Sequence, residues 1–261
     1  MITAASNSRI KRLVQLNQKS KLRRTEDVFL AEGVKMFLEA PREQLQEVYV
    51  SESFLEKCSC REHLEEVGYE VVSDIVFSKI SDTCTPQGVL CVLKQFHYNI
   101  EEMLRDKAPL FLLLENIQDP GNLGTMLRTG EGAGVSGIIM SRDTVDLYNP
   151  KVIRSTMGSI YRVPFYYADD FAAAVHQVQQ AGVSVYAAHL RGKNSYACQD
   201  YTKGTAFLIG NEGNGLREET AELADCYIRI PMEGKVESLN AAVASSILMY
   251  EAHRQRATIE K

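Results

Sequence analysis

The sequence predicts a two-part α/β chain, a mostly parallel sheet covered on both faces and preceded by a smaller α/β unit. Three observations carry that expectation. After Pro109, short apolar runs alternate with helical patterns, the pattern of strand–helix–strand units that pack a sheet from both sides. Residues 98–108 are polar and end at that proline, which reads as a linker between domains at 1–97 and 109–261. The first stretch has apolar segments of its own. At 261 residues and 45% hydrophobic content, the chain can bury one large core or two modest ones.

The elements follow from apolar periodicity and from Gly and Pro punctuation. In the first part a basic helical segment leads into an extended stretch at 28–31, ending at Glu32 and Gly33. A short helix follows, then a strand near 48–50, a helix around 52–67, a strand at 69–72, a helical stretch at 74–81 and an apolar strand at 88–93. In the second part the order is strand 110–115, helix 122–132, strand 137–141, helix 150–157, strand 163–166, helix 169–181, strands 183–188 and 205–210, helix 216–224, strand 226–230 and helix 238–254. Ligands in open sheets of this kind sit beyond the carboxyl ends of strands. The loops after 110–115, 205–210 and 226–230 are therefore where a site is expected.

Composition excludes several classes. No run approaches the roughly 20 apolar residues of a membrane span, and the N-terminal polar and basic residues are not followed by an apolar stretch of signal-peptide type. A cytoplasmic location is expected. Cysteines stand at 58, 60, 84, 91, 198 and 226. The 58/60 pair has the wrong spacing for a zinc site and no second pair, so reduced thiols and no metal are expected.

The net charge is −5, which rules out a globally basic nucleic-acid binder. The distribution is uneven. Arg9, Lys11, Arg12, Lys19, Lys21, Arg23 and Arg24 fall within residues 1–24 with no Asp or Glu among them. Such a block reads as a phosphate-contacting arm, or as a solvated helix face. As an arm, its deletion would weaken binding to a phosphate-bearing partner and flatten the salt dependence of that binding. Lys151 and Arg154, at a helical turn, are further candidate phosphate contacts, and their alternative is again surface charge.

Gly132, Gly134 and Gly137 match the spacing of a dinucleotide fingerprint. That fingerprint must follow a strand and open a helix. Here a helix precedes and a strand follows, so the glycines read as a helix end and a turn. Gly210–Gly215 also follows a strand but lacks the Lys-Ser/Thr of a P-loop.

Each of the three loops has a recognisable chemistry. In the first, Pro120 and Gly121 make a sharp turn and Asn122 can cap the following helix, with Arg128 one and a half turns inside it. In the second, the glycines of Gly210, Asn211, Glu212, Gly213, Asn214 and Gly215 let backbone groups approach a ligand. In the third, a strand ends at Ile230 and Pro231, and Ser238 is positioned to cap a long helix with small residues at 241, 242, 244, 245 and 246.

Together these residues resemble the SpoU/TrmH family of S-adenosylmethionine (SAM)-dependent RNA ribose 2′-O-methyltransferases. Asn116, Asp119, Pro120, Asn122, Gly124 and Arg128 resemble its first motif. Ile209, Gly210, Glu212, Gly215 and Leu216 resemble its second, and Ile230, Pro231, Met232, Gly234, Ser238, Leu239 and Asn240 its third. The likeness covers about residues 109–255, with no departure at a key position. Residues 1–97 more loosely resemble the RNA substrate-binding domain often fused in front, with Glu32 and Gly33 as the local marker.

The resemblance implies a trefoil-knotted sheet of SPOUT type, SAM as cofactor, RNA as partner and a homodimer. It implies cofactor contacts at Gly210, Asn211, Ile230, Met232 and Leu239. It implies Arg128 as the catalytic residue, acting as a base or by electrostatic stabilisation. The electrostatic role is favoured because a guanidinium gives up protons reluctantly. Asn122, Ser238 and Asn240 would orient the nucleotide and Arg128, and Glu212 would fix the loop geometry or pair with Arg128. The extra N-terminal domain favours a large structured RNA, with ribosomal RNA of the large subunit first. The alternatives are a tRNA substrate, a base rather than a ribose as acceptor, or a non-catalytic RNA-binding protein that retains the fold.

Overall fold

The computed structural model describes residues 1–259 and divides into two units. The first comprises 1–96 with 146–161, and the second 97–145 with 162–261. Residues 146–161 thus group with the N-terminal unit, whereas the sequence pattern places them in the C-terminal domain.

The first unit is built on a four-stranded sheet: β1 (Val28–Glu32), β2 (Leu45–Ser51), β3 (Glu70–Val72) and β4 (Val89–Lys94), in the order β1-β4-β2-β3. Only β2 and β3 run parallel. The helix Ser8–Gln18 buries Ile10, Leu13 and Leu16 at three-residue spacing against a core that includes Val28, Leu30, Tyr49, Phe77 and Leu90. The stretch expected as one helix over 52–67 is two helices, Glu52–Lys57 and Arg61–Val67, separated where the backbone turns extended at Cys58. The helix Pro150–Thr156, capped by Asn149, packs on β1. Arg23 is almost fully buried in this unit. It donates to the carbonyls of Leu16 (2.6 Å) and Asn17 (3.1 Å) and pairs with Asp146 at 2.5 Å.

The second unit holds a seven-stranded, wholly parallel sheet in the order β7-β6-β5-β10-β8-β11-β9. Its strands are β5 (Leu110–Leu114), β6 (Gly137–Ser141), β7 (Phe165–Ala168), β8 (Ser184–Ala188), β9 (Asn194–Ser195), β10 (Thr205–Ile209) and β11 (Cys226–Arg229). Every residue of β5, β6 and β10 is buried, as continuous apolar strands covered on both faces require. The stretch expected as a linker is part of this body: Ile100–Met103 is a helical turn whose end residues are buried in the core. Strand β7 starts two residues later than expected, after Pro164, and the two-residue edge strand β9 has no signal in the sequence.

The decoy glycines behave as read. The helix Pro120–Ala133 ends at Gly134 in the left-handed conformation (φ 76°), and β6 follows. The long C-terminal helix runs Ala241–Ile259 and packs closely on Pro120–Ala133. A Cβ at Gly132 would lie 3.0 Å from the Tyr250 hydroxyl, and Ala241, Ala242 and Ser245 are buried. The small residues of this helix therefore serve intramolecular packing.

Candidate active site

In a parallel sheet all strands end on one edge. The order β5-β10-β8-β11 gathers the loops after these four strands side by side. Three of them are the motif loops. The fourth, after β8, contributes His189 and Leu190, which the sequence pattern did not single out because strand order is not written in local periodicity.

The first loop leaves β5 through Asn116, held left-handed at φ 54°. Asp119, not Asn122, caps the helix: its carboxylate accepts from the Asn122 backbone N–H at 2.8 Å, with Pro120 at the first helical position. Proline suits that place because its missing N–H would have no partner there. The Asn122 amide is thereby released for another task.

The second loop closes on itself. Asn211 and Gly215 exchange backbone hydrogen bonds (3.0 and 2.9 Å), and the Asn211 side chain accepts from Gly213 and Asn214 N–H while donating to the Asn116 carbonyl at 2.8 Å. A Cβ on Gly210 would fall 2.2 Å from the backbone of Gly215 and Leu216, so the turn closes only on glycine.

Glu212 then ties the second loop to the first. Its carboxylate accepts from Gln118 N–H (3.1 Å), Asp119 N–H (3.0 Å) and the Asn122 side-chain amide (2.9 Å). Burial pushes this carboxyl up, but the hydrogen bonds from Asn122, Gln118 and Asp119 outweigh it and hold it below its ordinary value. Asn122 in turn accepts from Asn240 at 3.0 Å. One chain of side chains, Glu212–Asn122–Asn240, thus joins all three loops. Asn240 also caps the C-terminal helix through Ala242 and Val243 N–H, a role the sequence pattern gave to Ser238.

Beside this chain opens a cavity of about 310 Å³, within the range of small-molecule sites. Ile209, Leu216, Ile228, Ile230, Met232 and Leu239 supply apolar wall, and Gly210, Asn211 and Ser238 also line it. Apolar walls with exposed backbone at glycines fit a flat heterocycle and a ribose. All five residues expected to bind cofactor lie here. Arg128 lies outside it on the helix Pro120–Ala133, exposed and, among the described residues, without a hydrogen bond or ion pair. The pairing of Arg128 with Glu212 weighed from the sequence is absent. Glu212 serves the loop geometry.

The expected RNA contacts divide. Arg23 is buried and paired, and so is unavailable to phosphate. Arg9 pairs with Glu70 (3.1 Å), and Arg12 with Glu26 (2.6 Å) and Glu47 (2.7 Å). The block is two packed helices, Ser8–Gln18 and Ser20–Glu26, rather than an arm. Lys11, Lys19, Lys21 and Arg24 remain exposed, as do Lys151 and Arg154, the latter 3.4 Å from Asp82.

The comparisons agree with this geometry. Residues 109–250 match the SpoU rRNA Methylase family and residues 7–91 the MRM3-like substrate binding domain. The chain belongs to the SpoU rRNA methylase family. It is 32% identical over 252 residues (95% of this chain, 97% of the relative) to the Bacillus subtilis 23S rRNA (guanosine(2553)-2′-O)-methyltransferase RlmP. It is 33% identical over 184 residues (69% and 74%) to the 23S rRNA (guanosine-2′-O-)-methyltransferase RlmB of Ralstonia nicotianae. Among solved structures, the AdoMet-bound rRNA methyltransferase of Sinorhizobium meliloti superposes with a TM-score of 0.84 at 31% identity, covering 97% of each chain. The SpoU methyltransferase AviRb of Streptomyces viridochromogenes with AdoMet superposes with a TM-score of 0.87 at 26% identity, covering 97% of this chain and 99% of that one. The enzyme class, the α/β fold class and the SAM cofactor expected from the sequence accord with these matches. Among the described residues no helix is long and apolar enough to cross a membrane.

Proposed function

We propose that this chain methylates a ribose 2′-hydroxyl of ribosomal RNA of the large subunit, acting as a cytoplasmic homodimer with the knotted chain path of its family. The observation that carries the reading is the Glu212–Asn122–Asn240 chain, which locks three loops around one cavity. The named functions of the 23S rRNA relatives support the choice of RNA.

SAM supplies a methyl group already activated on a sulfonium, so the protein's task is alignment and management of the hydroxyl proton. Alignment alone is worth several kcal/mol. The cavity fixes the cofactor through apolar walls and the backbone around Gly210. Asn122, held from both sides, and Asn240 keep the loop edge rigid where the ribose must approach. Arg128, free of other partners, stabilises the oxygen as it loses its proton. Lys11, Lys19, Lys21, Arg24, Lys151 and Arg154 supply phosphate contacts.

The test is transfer of labelled methyl from SAM to ribosomal RNA and, separately, to tRNA, by the wild type and by Arg128→Ala. Arg128-dependent label on the ribose of 23S RNA is the expected outcome. Label on a base, or on tRNA alone, would overturn the substrate assignment. SAM binding without transfer to either RNA would favour the non-catalytic reading.

A further inference from the structure

His189 stands at the carboxyl end of β8 and lines the cavity, and neither the motifs nor the chain of side chains just described uses it. Its surroundings fix its chemistry. The backbone N–H of Arg191 points at Nδ1 from 3.1 Å. A backbone N–H can only donate, so Nδ1 must be the bare, accepting nitrogen and the proton of the neutral ring sits on Nε2. The turn that delivers this contact is itself constrained. Gly192 N–H donates to the His189 carbonyl at 2.9 Å, and a Cβ on Gly192 would lie 2.8 Å from the Ile228 backbone. The ring packs on Tyr227 of β11 at a centroid distance of 5.0 Å.

Protonating this ring would put a second proton where the Arg191 N–H already points. The contact would be lost and a positive charge placed on the cavity wall. The charged groups around it are Arg191 and Glu218, which pair with each other, with Glu212, Arg229 and Glu237 elsewhere on the lining, and the titratable side chain of Tyr227 packs against the ring. Burial first, and Arg191 second, push the imidazole below its ordinary value against the opposing pull of Glu218. At neutral pH the ring is uncharged.

We propose that His189 contacts the cofactor and distinguishes SAM from its demethylated product, S-adenosylhomocysteine (SAH), by charge. The two ligands differ in one methyl group and one positive charge, at sulfur. A neutral His189 tolerates the sulfonium and offers an Nε2–H donor. A protonated His189 repels the sulfonium and has no comparable effect on the neutral thioether. The SAM/SAH affinity ratio is therefore highest where the ring is neutral and falls as the ring takes up a proton. This rests on the assignment of the cavity to SAM.

The experiment is calorimetric titration of the full-length protein with SAM and with SAH at pH 7.5 and 5.5, for the wild type and for His189→Gln. Glu212 and Glu218 stay ionised across this range, because hydrogen bonds hold both below the ordinary carboxylate value. In the wild type, SAM binding weakens as the pH falls from 7.5 to 5.5, by up to about fivefold where the ring is fully protonated, the size of two like charges under partial screening, and SAH binding changes less than SAM binding. In His189→Gln the SAM/SAH ratio is the same at both pH values. A second readout needs no variant: the His189 ring resonance titrates at lower pH with SAM bound than with SAH bound. A SAM/SAH ratio that is flat with pH in the wild type, or that moves equally in the variant, overturns the inference alone. Failure of both ligands to bind overturns the cavity assignment, and the inference falls with it.

Discussion

The N-terminal basic block and the loop after β5 make an instructive pair. Both stood out in the sequence for their residue types, and both yielded functional expectations. In three dimensions the loop's side chains meet those of the other motif loops, whereas three arginines of the block are already paired within the fold. In the loop the informative contacts are local or run to other motif loops. Asp119 caps its own helix, and Glu212 reaches back to Gln118, Asp119 and Asn122. In the block the partners are distant and anonymous: Glu70 for Arg9, Glu47 for Arg12, Asp146 for Arg23. A charge run shows how many charges are present and says nothing about which are already spent. Deleting residues 1–24 would remove Ile10, Leu13 and Leu16 from the core, so truncation is a test of folding and not of RNA binding.

The sharpest way to break that comparison is Arg23→Ala. The residue is 3% exposed, and its guanidinium serves Asp146 and two backbone carbonyls. Removing one partner of a buried pair leaves the rest unsatisfied, at a cost of about 3–5 kcal/mol. Urea unfolding should register a loss of this size, and an unfolding midpoint equal to the wild type would show that the arginine is dispensable to the fold. Arg128→Ala should do the opposite. Stability and SAM affinity should stay at wild-type values, because Arg128 is exposed and makes no hydrogen bond or ion pair among the described residues. The rate of methyl transfer should fall by about 10²–10³, as on removal of one group that stabilises developing charge. A drop in SAM affinity of the same size would relocate Arg128 to cofactor binding.

These two arginines also show what was legible. The parallel α/β class, the strands β5, β6 and β10 and the placement of three loops on one edge were readable, because apolar runs and Gly/Pro punctuation are local signals. The motif residues were readable through resemblance. The caps were misplaced by two or three residues, since Asn122 and Ser238 are good capping types and local pattern cannot tell that Asp119 and Asn240 take the role. His189 was unreadable because it enters the site through strand order. The return of residues 146–161 to the first unit was unreadable because it depends on the Arg23–Asp146 and Tyr148–Phe96 contacts, separated by 123 and 52 positions.

Glu212→Gln probes the chain that joins the loops. The amide keeps the shape but turns one acceptor into a donor facing the Gln118 and Asp119 N–H groups. Because Glu212 is exposed, solvent screening brings the expected cost below the usual range for a hydrogen bond to a charged group, to about 1 kcal/mol, read as roughly fivefold weaker SAM binding. The pH dependence follows from the sign of the shift. The carboxyl titrates lower in the folded state than unfolded. Its stabilising contribution is therefore present above the ordinary carboxylate value and is lost only as pH falls through the folded one. SAM binding that weakens in the wild type between pH 7.5 and 5.5 must then arise elsewhere in the site. A wild-type affinity in Glu212→Gln would show that the loops hold without this carboxylate.

The smallest effect belongs to the cations the fold leaves free. Lys11, Lys19, Lys21 and Arg24 are exposed on the two N-terminal helices, and the ion pair of Arg9, itself exposed, is solvent-screened and worth little to stability. Replacing Lys21 with Gln should leave the unfolding midpoint unchanged. It should weaken RNA binding uniformly across sequences and reduce the slope of log affinity against log salt by about one. The same substitution at Lys19 should add a similar decrement, because each phosphate contact releases its own counterions. Arg9→Gln is the informative control. If the ion pair with Glu70 persists in the complex, the salt slope stays at the wild-type value. If Arg9 changes the slope as much as Lys21 does, the intramolecular pairs exchange for phosphate on binding, and the whole block, apart from buried Arg23, is an RNA surface after all.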